Sequence, residues 1–224
     1  MRLYLLDKLT LRFANNAAKF LNGLTTNTLD SPRNAFVTVH GRIVATFDQL
    51  KIADDEFCVI IEKPFYEALT QHVDKFLKLN KTKMEVAAKN LYFDLSGDAP
   101  VEGKDFVIPQ KSGRLLVTAR HWAVNVSDEE FTLFRLRHNI PIHGVDYHDE
   151  MILNVADEEF VSYAKGCFLG QEPIAKVHNR SKPTWKLAAR FEDELAGEEK
   201  AKMTSKVKDP VTGKVMGFVF VRNS

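Results

Sequence analysis

Apolar positions along this chain recur at two spacings, and the spacings predict its elements. Residues 9–13, Leu-Thr-Leu-Arg-Phe, alternate with the period of a strand. Ala17, Phe20, Leu21 and Leu24 then fall at i, i+3, i+4 and i+7, one apolar stripe of a helix that Asn15 or Asn16 can cap. Residues 35–40 and 42–52 read as two strands around Gly41, and residues 57–62 as a third after the Asp54-Asp55-Glu56 turn. Pro64 opens a helix in which Phe65, Ala68, Leu69, His72, Val73, Phe76 and Leu77 keep helical spacing. A strand at 84–88 follows. Glycines and prolines punctuate 94–114, which predicts loops and short strands. Residues 115–119 read as a strand. Ser127 with Glu130 has the form of a capping box and starts a helix that runs to about His138. After Lys182 the pattern is all strand: 185–191, then 207 to the end with a turn at 210–213. The expected class is α+β with a β-rich tail.

Composition narrows the class of function. Of 224 residues 45% are hydrophobic and 27% charged, which excludes wholesale disorder. The longest apolar run, residues 57–61, is too short to cross a bilayer, so no membrane partner is expected. A formal charge of +1 argues against a general nucleic-acid binder but leaves room for a local patch. Cys58 and Cys167 are the only cysteines, too few for a disulfide framework or a four-cysteine metal site. The start of the chain, with Asp7 and Lys8 close behind Met1, does not read as a signal peptide. The expected setting is cytoplasmic, where both thiols stay reduced.

The candidate chemistry is concentrated in Lys165-Gly166-Cys167-Phe168-Leu169-Gly170-Gln171-Glu172. Glycines allow close backbone approach and positive φ. A lysine beside a thiol favours the thiolate. Gln171 and Glu172 can hydrogen-bond a heterocycle. The same residues also suit a tight turn around a structural cysteine. Downstream, residues 173–191 hold Lys176, Arg180, Lys182, Lys186 and Arg190, with His178 and Trp185 among them, and no acid. That segment can receive an anion, or be the lysine-protected edge of a sheet. His143 and His148 beside Asp146 and Asp149 offer metal-ligand types, but their spacing fits a polar loop better, and no metal is expected. There is no P-loop and no dinucleotide fingerprint.

The 165–172 stretch closely resembles the K-G-C-[YF]-x-G-Q-E motif of YgfZ-type proteins, folate-binding relatives of the glycine-cleavage T-protein (aminomethyltransferase). Residues 20–27, the Gly41-Arg42 turn and the helix ending at Pro141 resemble flanking segments of that family. The resemblance implies a ferredoxin-like, folate-binding domain over 1–182. It also implies a C-terminal β-barrel, here shortened or reduced to a small antiparallel sheet over 183–224. It implies tetrahydrofolate, or a one-carbon derivative, as cofactor. It implies Cys167 as the reactive residue with Lys165 tuning it, and Asn27, Arg42, Gly166, Gly170, Gln171, Glu172 and Arg180 around the cofactor; by side-chain chemistry, Gln171 or Glu172 can meet the heterocycle and Arg42, Arg180 or Lys182 its carboxylates. The family role is support of iron–sulfur enzymes, so the expected partners are client enzymes or assembly proteins, with tRNA as a further candidate. Two cysteines cannot hold a four-thiolate cluster, so any cluster would need shared ligands. Aminomethyltransferases carry an Asp pair where this chain has Ala45-Thr46, and an acid where the 135–139 stretch has none. Both departures favour an accessory protein. The alternatives are a folate-dependent aminomethyl transferase, a tRNA-modification factor using the basic segment, and an interaction module with a structural cysteine loop.

Overall fold

The structure, a computed structural model, describes residues 1–155 and 157–223. In chain order the strands β1 (Leu3–Leu5) and β2 (Lys8–Ala14) lead to helix α1 (Ala17–Leu24). Strands β3 (Arg33–Val37), β4 (Ile43–Ala53) and β5 (Glu56–Glu62), helix α2 (Tyr66–Asn80) and strands β6 (Lys83–Ala87), β7 (Asn90–Asp94), β8 (Phe106–Pro109) and β9 (Arg114–Thr118) follow. Then come α3 (Asp128–His138), two short helices, α4 (Asp157–Phe160) and α5 (Gln171–Lys176), and a π-helical turn, Val177–Ser181. Strand β10 (Trp185–Phe191), the five-residue helix α6 (Gly197–Ala201), β11 (Thr204–Lys208) and β12 (Val215–Arg222) close the chain.

The strands form three antiparallel sheets, ordered β3-β4-β5-β2-β6, β1-β7-β9-β8 and β10-β12-β11. The apolar run at 57–61 has a structural cause. β5 is the central strand of the five-stranded sheet and is buried on both faces. Phe57, Val59 and Ile61 join the core under α1 and α2. Cys58 and Ile60 join Leu91, Phe93, Leu115 and Val117 of the four-stranded sheet. A strand covered on both sides needs no polar alternation.

The helix starts divide into local and tertiary cases. Ser127 and Glu130 exchange both capping-box bonds, at 2.9 and 3.2 Å. At α1, Asn16 occupies the cap position with φ +55°, but its side chain donates to Asn80 O instead. Asp55, from the β4–β5 turn, accepts the Ala18 N–H at 2.8 Å. The expected asparagine cap is thus replaced by a carboxylate far along the chain. Two strands carry no clear signal in the sequence: β1, only three residues, and β7, buried along most of its length and so without alternation. The tail is not all strand, since α6 and a short 3₁₀ turn (Glu192–Glu194) interrupt it.

The three-stranded C-terminal sheet shares a core with the rest. Leu187, Val207, Met216 and Phe218 pack in one cluster with Val37, Ile43, Leu136, Ile152 and Phe168. That cluster sets the walls of the candidate site.

Candidate functional site

The 165–172 loop is held against α1 and the β3–β4 turn. Lys165 Nζ donates to Thr25 O at 2.6 Å and Asn27 O at 2.9 Å. These carbonyls lie at and just past the end of α1, where partial negative charge collects. Burial pushes the Lys165 ammonium down to about 8. The Leu169 N–H reaches Gly23 O at 3.0 Å. Gly170 has φ +82°, and a Cβ there would sit 2.3 Å from Thr38 O and 2.9 Å from Val37 Cγ2. Gly41, with φ +73°, is confined from the other side by Ile174 and Met151 at 3.0 and 3.1 Å. Two glycines therefore let two backbones meet. Around Gly166 a Cβ would meet nothing within 4 Å.

The remaining candidates spread out from this loop. Cys167 is an exposed free thiol. Gln171 and Glu172 open α5, the first half-buried and the second exposed. Gln171 lines a cavity of about 250 Å³ with Phe168, Ile174 and His178. The buried Asn27 side chain is committed to Ser31 Oγ, Arg33 O and Glu159 O, at 2.9 to 3.1 Å. Arg42 pairs with Asp149 at 3.1 Å on the surface. Arg180 is exposed on the π-helical turn. The motif thus joins Lys165 to the backbone of Asn27, while Arg42 and Arg180 stand apart in other surroundings.

A larger hollow, about 440 Å³, opens between the end of α3, the Ile152–Asn154 turn and β10. Its walls include Lys111, Asn139, Leu153, Glu159, Lys182 and Lys186. Asn139 Oδ1 accepts the Ala189 N–H at 3.1 Å, and its amide nitrogen remains able to donate. Lys182, Lys186 and His178 belong to the basic segment visible in the sequence. Lys111 and Glu159 gave no sequence signal; they arrive from the β8–β9 turn and α4, and pair at 3.2 Å.

No protein-family model matches the chain, and no curated protein does. Among solved structures it is similar to the glycine cleavage system aminomethyltransferase T from Bartonella henselae. The TM-score is 0.72 at 12% identity, over 98% of this chain and 78% of that one. The chain has an aminomethyltransferase-like fold. No helix among the described residues is long and apolar enough to cross a membrane.

Within this fold, Ala45 is fully buried and the Thr46 hydroxyl shares a 2.6 Å hydrogen bond with Tyr147 Oη. Around them lies an ionic cluster. Lys8 is 2.9 Å from Glu62 and 3.9 Å from Asp48, Gln110 donates to Asp48 at 2.8 Å, and Arg33 pairs with Glu159. Burial works against the Lys8 charge, but Glu62 and Asp48 outweigh it and hold its pKa above the ordinary value. Burial drives His143, on the same wall, down to about 3. The space left here is about 20 Å³, room for one water and not for a heterocycle. Among the described residues no three His, Cys, Asp or Glu side chains converge as a metal site. Asp146 instead receives Arg135 at 2.9 Å.

Proposed function

We propose that this chain binds tetrahydrofolate, or a one-carbon derivative of it, in the 440 Å³ cavity, and acts as an accessory protein rather than an aminomethyltransferase. The observation that carries the reading is the cavity's charge. Three lysines face one carboxylate among the described lining residues, in a fold like that of a solved aminomethyltransferase. The volume lies in the range of small-molecule sites, roughly 300–1,000 Å³. The donor set fits the group: Lys182 and Lys186 would take its carboxylates, Asn139 would donate to a ring edge, and Leu153 and Val155 would cover an apolar face. When bound, tetrahydrofolate supplies a nucleophilic ring nitrogen that carries a one-carbon unit. The accessory reading draws on the Ala45-Thr46 positions, which carry no acid; they lie outside this cavity, and the Thr46 hydroxyl is bonded to Tyr147.

Cys167 has the exposure that a partner's thiol or metal would need. In this reading it faces an iron–sulfur client or assembly protein, and Lys165 anchors its loop. A second reading, RNA contact, draws on Trp185, 42% exposed between Lys182 and Lys186. It requires binding that weakens steeply with salt.

Calorimetric titration with tetrahydrofolate tests the main reading. Lys186→Gln is expected to weaken binding about tenfold, the loss of one charge-assisted bond. Cys167→Ser is expected to keep folate affinity and lose support of iron–sulfur enzyme activity. Absence of binding at millimolar ligand would sink the folate assignment.

A further inference from the structure

Beside the 165–172 loop lies the cavity of about 250 Å³, which the folate reading above does not use. One helical face floors it. Gln171, Ile174, Ala175, His178 and Asn179 fall at i, i+3, i+4, i+7 and i+8 along α5 and the π-helical turn that continues it. That face is apolar at its centre and carries a carboxamide at each end. Ser162 and the buried Phe168 line the cavity from the loop side. Tyr163 stacks on His178 with centroids 3.7 Å apart and gives the cavity a flat aromatic wall. Two features define what this space can hold. The first is charge. Among the described lining residues there is no Lys, Arg, Asp or Glu, whereas the larger cavity has three lysines and one carboxylate. The second is open hydrogen-bonding capacity. The side chains of Ser162, Gln171 and Asn179 make no hydrogen bond with any described residue.

A carboxamide offers an acceptor and a donor side by side, the complement of a ring edge that carries a donor beside an acceptor. Eight residues separate the two carboxamides, roughly 12 Å at the rise of a helix. A two-ring heterocycle with a hydrogen bond of about 3 Å at each end fills that span. Phe168, Ile174 and Ala175 supply the apolar surface that such a ring covers. We infer that this cavity is a second ligand site, for an uncharged purine-type base, with Gln171 and Asn179 holding opposite ring edges. The inference does not depend on the folate reading. His178 lines both cavities, so the two ligands would lie side by side.

Calorimetry on the full chain with adenine tests the site. Adenine presents a donor beside an acceptor at both ends, the 6-amino group with N1 and N9–H with N3. It is expected to bind once per chain. Methylation of either edge, in 9-methyladenine or in N6,N6-dimethyladenine, is expected to weaken binding about tenfold, the loss of one paired edge. Asn179→Leu, on the exposed π-helical turn, is expected to weaken adenine to the same extent. It is also expected to erase the penalty of one methylation and keep that of the other, because only one ring edge faces residue 179. Saturating tetrahydrofolate is expected to leave adenine bound. No adenine binding at millimolar concentration, or binding indifferent to both methylations and to Asn179→Leu, would overturn the site while leaving the folate reading standing. Competitive displacement by tetrahydrofolate would overturn the second-ligand assignment and put the folate ring in this cavity. Adenine binding without tetrahydrofolate binding would remove the folate reading alone and uphold the site.

Discussion

His143 shows how a single side chain is set by its surroundings. Its ring stacks on Phe65, with centroids 3.5 Å apart, and lies 5.1 Å from Tyr147. Nε2 is 3.0 Å from His148 O, which can only accept, so Nε2 carries the proton of the neutral ring. Burial then pushes the pKa down to about 3, from an ordinary value near 6.5. The sign follows. Below about 6.5 the unfolded histidine takes a proton that the folded one refuses, so stability falls as pH drops from about 6.5 towards 3. His143→Phe keeps the stacking and removes the titration. Urea midpoints measured across that range are expected to fall less steeply in the variant. Parallel profiles would show that His143 does not titrate as the structure requires. Nothing in the sequence marked this residue beyond a histidine in a polar loop, because its burial comes from Phe65 at the start of the α2 segment.

At the scale of elements, the meeting of the 165–172 loop with the β3–β4 turn is the contact most exposed to a small change. An alanine at Gly170 would need a positive φ and would place its Cβ 2.3 Å from a backbone oxygen, which cannot rotate away. Gly170→Ala is expected to destabilise the fold by roughly 1–3 kcal/mol or more, the scale of backbone strain with an added clash. Gly166→Ala, four residues earlier, meets open space and is expected to change stability by less than about 0.5 kcal/mol. Thermal unfolding of the two variants reads the contrast, and equal effects would refute the packing role of Gly170. The motif glycines were legible in the sequence as a pair, yet their different jobs were not. The difference lies in what the β3–β4 turn brings near. Helix ends divide the same way. The capping box at Ser127 is local and was readable, whereas the α1 cap comes from Asp55, 37 residues past the Ala18 it caps.

For the whole molecule, a buried ion pair joins the shared apolar core and the Arg137–Asp209 bridge in tying the C-terminal sheet to the rest. Arg135 on α3 meets Asp146 at 2.9 Å, both nearly inaccessible, and donates to Ser205 on β11 at 3.0 Å. Asp146 also accepts from Thr204, Ser205 and the Ile142 N–H. Removing Arg135 leaves a buried carboxylate without its cation, a change on the scale of 3–5 kcal/mol. Arg135→Met is expected to lower the unfolding midpoint accordingly. Hydrogen exchange is expected to show protection lost in β11, β12 and α3 together, since they share one core. Loss confined to α3, with β11 and β12 still protected, would mean that the sheet is an independent unit. By itself the sequence determined most helices and strands, because amphipathic spacing and capping are local, and it located the 165–172 loop through its unusual side-chain chemistry. It could not determine which cations share a cavity. Lys111, Glu159 and Lys186 come from separate elements and meet only because three sheets pack around common cores, and that long-range packing leaves no periodic trace in any one segment.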